Sequence, residues 1–100
     1  MILTIRKTGG SAAISEMLGT VDATHLDAET RRILAIQLED LTDLTIGHEP
    51  IDADCFRYEV EVQGPGRSRN LLAVDDEGDP DQPAFKALGA LMRTLGLPPP

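Results

Sequence analysis

The chain is 100 residues long, 41% of them hydrophobic, and carries a formal net charge of −8, with 9 Lys and Arg against 17 Asp and Glu. One domain of that size buries only about two-thirds of the surface its unfolded chain exposes, which leaves little room for a deep catalytic cavity. The acidic balance argues against the phosphate backbone of nucleic acid as a source of affinity, no run approaches the roughly eighteen apolar residues of a membrane helix, and the single cysteine, Cys55, excludes an intramolecular disulfide.

Residues 1–8 open on an apolar, β-branched run before Arg6 and Lys7 and read as a first strand, which turns at Gly9-Gly10, where the backbone takes φ > 0 without a Cβ penalty. A second strand is expected over roughly residues 12–24, with Ser15, Glu16 and Gly19 interrupting its pattern and suggesting a loop before Gly19. Asp27 is placed to cap the first turn of a helix. Thr30, Ile33, Leu34, Leu38 and Leu41 then recur at helical spacing, which predicts an amphipathic helix of three to four turns.

Residues 42–54 form the longest irregular stretch, broken by Gly47 and Pro50 and carrying His48, Glu49, Asp52 and Asp54. From Cys55 to Gln63 the pattern alternates, with Phe56, Tyr58, Val60 and Val62 on one face and Arg57, Glu59 and Glu61 on the other, as in a half-buried antiparallel strand. Gly64-Pro65-Gly66 turns this strand into another over residues 69–75. An acidic segment, residues 75–81, leads to Pro83, which suits the first turn of a last helix. Phe85, Leu88, Leu91, Met92 and Leu95 give that helix its apolar face, and Gly96 with the closing prolines ends it. The order is ββαββα, an α+β fold with a four-stranded antiparallel sheet and two helices on one face, in a single domain spanning residues 1–100.

Four landmarks in this order, Arg6-Lys7-Thr8-Gly9-Gly10, Val21-Asp22-Ala23-Thr24 leading to a helix, Asp54-Cys55-Phe56-Arg57-Tyr58 and the final helix from Pro83, give a chain that resembles the emfourin family. Emfourins are small bacterial inhibitors of thermolysin-like metalloproteases such as protealysin. The resemblance covers most of the chain. It implies an inhibitor that occupies the protease's active-site cleft with exposed loops, without enzymatic activity or a cofactor of its own. The partner-binding residues it suggests are Gly9, Gly10, Ser11, Ala12, Ala13 and Ile14 at the turn, with Ile14 for an apolar subsite, and Asp52 and Asp54 at the rim. The chain departs from the family at Ser11, where a bulky apolar or aromatic residue is common, and at Ala13, where glycine is.

The residues leave alternatives open. The Gly9-Gly10 turn reads equally as a plain hairpin, and Tyr58 as a core aromatic or a contact residue. His25, His48, Cys55 and the acids match no zinc spacing, and residues 75–81 lack the acid spacing of a calcium loop. Nucleophilic catalysis would require Cys55, Ser11 or Ser15 beside an oriented base, which no motif supplies. A second reading is a non-inhibitory interaction module docking through a sheet edge or face. With no long apolar segment near Met1, the expectation is a soluble cytoplasmic protein, a monomer when unbound, with a metalloprotease as partner and neither nucleic acid nor membrane.

Overall fold

A computed structural model of the chain describes residues 1–9, 14–45, 56–64, 69–75, 81–98 and 100. These form strands β1 (Ile2–Gly9) and β2 (Ile14–Asp22), a 3-10 turn (Ala23–His25), helix α1 (Ala28–Thr45), strands β3 (Phe56–Gln63) and β4 (Arg69–Asp75), and helix α2 (Pro83–Thr94). The strands make one antiparallel sheet in the order β2-β1-β3-β4. The α+β class and the ββαββα order follow the sequence pattern.

The period-two alternation decides what the sheet buries. Leu3 and Ile5 of β1, Tyr58 and Val60 of β3 and Val74 of β4 are buried in one cluster with Leu34 and Leu41 of α1 and Leu88, Leu91 and Met92 of α2. The two helices pack against each other and against β4, so both lie on that face. The opposite face carries Thr4, Arg6 and Thr8 of β1 against Glu61, Glu59 and Arg57 of β3, and leaves Met17 and Leu71 more than half exposed.

β2 differs from the sequence expectation. It is a continuous strand from Ile14 to Asp22, with no loop before Gly19, and the chain leaves it for the 3-10 turn at Ala23. The register explains the broken pattern. Ile5 pairs with Gly19 and Arg6 with Met17, so Leu18 is the extra residue of a β-bulge. Gly19 also sits in close packing: a Cβ on it would lie 2.5 Å from Cδ2 of Leu97, so a larger residue there has to displace that side chain.

α1 is also longer than its apolar spacing indicated, running 18 residues to Thr45. Asp27 caps it as expected, its Oδ1 accepting from the Thr30 N–H at 3.2 Å. The last turns tolerate threonine because Thr42 and Thr45 donate their hydroxyls back to the Leu38 and Leu41 carbonyls, at 2.7 and 2.9 Å. Ile33, assigned by spacing to the apolar face, is 42% exposed. Gln37 faces α2 instead, donating from Nε2 to the Ala90 carbonyl at 3.4 Å. α2 ends as its sequence indicates: Gly96 adopts φ +75, the Leu97 N–H reaches the Met92 carbonyl at 2.9 Å, and the Gly96 N–H reaches that of Arg93 at 3.1 Å. This is a Schellman closure, and it turns Leu97 back onto the core beside Gly19.

Candidate functional site at one end of the sheet

β1 is a central strand and ends at Gly9, whose φ of +94 only glycine adopts without strain. Gly9 is paired on one side with Ile14, the first residue of β2, and on the other with Phe56, the first residue of β3. Asp75, the last residue of β4, pairs with Arg57. Four strand termini therefore meet at one end of the sheet. A small recess lined by Leu44, Thr45, Val74, Asp75 and Gln82 brings the end of α1 and the start of α2 to the same place.

Of the residues singled out by sequence, Gly9 and the backbone of Ile14 are anchored here, directly across from each other. Gly10, Ser11, Ala12, Ala13, Asp52 and Asp54 lie outside the described residues, as do Cys55 and His48. The register still fixes where the chain departs and returns: residues 10–13 link Gly9 to Ile14, residues 46–55 lead into Phe56, and residues 76–80 follow Asp75.

The strand ends are held by contacts between strands distant in sequence. Arg57 Nε donates to Asp75 Oδ1 at 2.8 Å, with both side chains partly shielded from water. Thr8 Oγ1 donates to the Arg57 carbonyl at 3.4 Å. Lys7 extends its ammonium over the Phe56 ring, 4.2 Å from the centroid, and lies 5.6 Å from that of Tyr58. Tyr58 meets Phe85 of α2 edge to face at 5.9 Å and is only 3% exposed, which decides for its core reading. Sequence reasoning passed over Lys7. The available signal was its period-two phase with Leu3 and Ile5, which turns it to the helix side of β1, but its ring partners depend on the β1–β3 pairing.

Among the described residues no three His, Cys, Asp or Glu side chains gather as a metal site would, and His25 is an exposed residue 3.7 Å from Asp22. Asp22 and Asp27 are both held below the usual carboxylate range. The Thr24 hydroxyl is the main cause for Asp22, followed by the Thr24 N–H; for Asp27 the Thr30 side chain leads, followed by the Thr30 N–H. These are capping interactions, and Asp22 lies opposite Ile2, at the other end of β1 from Gly9. None of the described helices is long and apolar enough to cross a membrane. No protein-family model matches the chain, and neither a curated protein nor a solved structure does.

Proposed function

We propose that this protein inhibits a thermolysin-like zinc metalloprotease by inserting the Gly9–Ile14 connection into its active-site cleft, with Asp52 and Asp54 contacting the cleft's rim. The observation that carries the reading is the mounting of that connection. It spans only residues 10–13, between directly paired residues, and its leading strand is central in the sheet and packed against the helices through Leu3 and Ile5. Fixed ends limit how far a short connection can wander, and a smaller loss of ordering entropy on binding is what an inhibitor that must resist dissociation requires. Small side chains at Gly10, Ser11, Ala12 and Ala13 suit entry into a narrow cleft, and the resemblance to emfourins agrees with this use of the turn. The zinc in this reading is the protease's own.

The test is hydrolysis of a peptide substrate by a thermolysin-like protease, titrated with the protein after preincubation and compared with a Gly10→Trp variant. Saturable inhibition is expected, and the bulky substitution is expected to abolish it while leaving the thermal unfolding midpoint unchanged. An intact protein that inhibits none of several such proteases would overturn the reading. The second reading, docking through a sheet edge, is favoured by one observation: among the described residues nothing pairs with the outer edge of β4.

A further inference from the structure

The two edges of the sheet are built differently. β2 carries a bulge at Leu18 and a charge at Glu16, both of which discourage strand addition. β4 has neither. Its pairing with β3 runs unbroken through all seven residues, from Arg57↔Asp75 to Gln63↔Arg69. It contains no proline, and residues 70–74, Asn-Leu-Leu-Ala-Val, carry no charge. Among the described residues nothing pairs with this outer edge, and an edge without a bulge or a charge between its ends is a template for another strand.

The ends of β4 say which strand. We infer that the outer edge of β4 pairs antiparallel with β4 of a second copy, about a two-fold axis through Leu72, to give a continuous eight-stranded sheet. Strand alternation requires odd positions to meet odd and even to meet even, so the axis must pass through a residue. Placing it at Leu72, the middle of the strand, pairs all seven residues. In that register positions 69 and 75 fall opposite each other at both ends, so the sequence of the strand, arginine at one end and aspartate at the other, is self-complementary in charge. Leu71, 60% exposed on the open face, falls opposite the partner's Ala73. Leu72 meets its own copy on the helix side. There it lines a groove of about 460 Å³ between β4 and α1, together with Ala35, Leu38, Glu39 and Thr42, which the second copy would cover. A seven-residue edge buries less than the roughly 1,200 Å² of a standard interface, so the dimer belongs to the weak, reversible class. It replaces the sequence expectation of a monomer and rests on β4 alone, independently of protease inhibition.

Sedimentation velocity on the full chain up to about 1 mM tests it. A concentration-dependent doubling of mass is expected, with Leu71→Lys weakening the dimer about tenfold or more, since this side chain is exposed in the monomer and its replacement leaves the fold intact. Register is tested separately by oxidation in a Cys55→Ser background. Leu72→Cys should give a covalent dimer because residue 72 lies on the axis, whereas Asn70→Cys, whose counterpart is the partner's Val74, should not. A mass that stays monomeric throughout the range would overturn the inference and leave the edge to an extended segment of another protein. A dimer indifferent to Leu71→Lys, or one that cross-links equally through both cysteines, would overturn the β4 pairing.

Discussion

At the scale of single residues, the two lowered carboxylates make the fold acid-sensitive in a defined direction. Asp22 and Asp27 accept hydrogen bonds in the native protein from Thr24 and Thr30, and these favour the ionised form. A carboxyl whose native pKa lies below its unfolded one contributes stability that is fully present above the unfolded value. That contribution is lost as the pH falls through the native value. Asp27→Ala is therefore expected to lower the unfolding midpoint at about pH 7, and the gap to the parent should narrow as the pH drops below the carboxylate range. Thermal melts of both proteins across that range check it, and a gap of constant size down to about pH 2 would assign the loss to the missing side chain rather than to its charge. The role of Asp27 was legible in the sequence because capping acts over three residues, and so was the positive φ of Gly9, which its place in a Gly-Gly pair suggests. Lys7 over Phe56 and Arg57 with Asp75 were not, because each partner is chosen by the pairing of distant strands and carries no local signature.

The elements show the same division. Helix α2 was legible to its end, since Pro83, the apolar spacing and Gly96 are all local signals. The interruption of β2 was legible only as a defect. Its meaning lies in the bulge opposite Ile5 and Arg6, and in Leu97, which the Schellman closure of α2 delivers against the bare Cα of Gly19. This joins an edge strand to the last helix through one glycine. Gly19→Val is expected to destabilise the protein by about 2 kcal/mol, because Leu97 must leave its place or β2 must move. A double-mutant cycle with Leu97→Ala checks the cause. The double variant should be more stable than the sum of the two single losses implies, by about 1 kcal/mol. Strict additivity would mean that valine harms β2 by some route other than Leu97. In α1 the period placed Leu34, Leu38 and Leu41 well but turned Ile33 inward, because the stripe it traced ignored Gln37, a polar, part-buried residue that hydrogen-bonds to α2.

For the whole molecule, the strand order is what the sequence could least supply and what the proposed function most depends on. Each ββ hairpin is local, but setting β1 beside β3 joins the two ββα halves, and it is this junction that brings Gly9 and Phe56 together at one end. β1 and β3 thereby have neighbours on both sides and core residues beneath them, whereas β2 and β4 each have one neighbour among the described residues. Opening the sheet at β1 requires breaking the core, while β2 can fray from its edge. Amide hydrogen exchange of dilute protein should therefore show the slowest exchange in Leu3, Ile5 and Val60, at rates set by global unfolding, and faster exchange along β2, where every second N–H faces away from β1. On raising the concentration, β4 should gain protection if it pairs with a second copy, and β2, with its bulge, should not. Protection near the global limit that persists in β1 up to Gly9 would give the turn at residues 10–13 a support that does not open before the protein unfolds, as insertion into a cleft demands. If β1 frayed near Gly9 as readily as the edge strand does, the turn would lose its preorganisation, and inhibition through it would lose its physical basis.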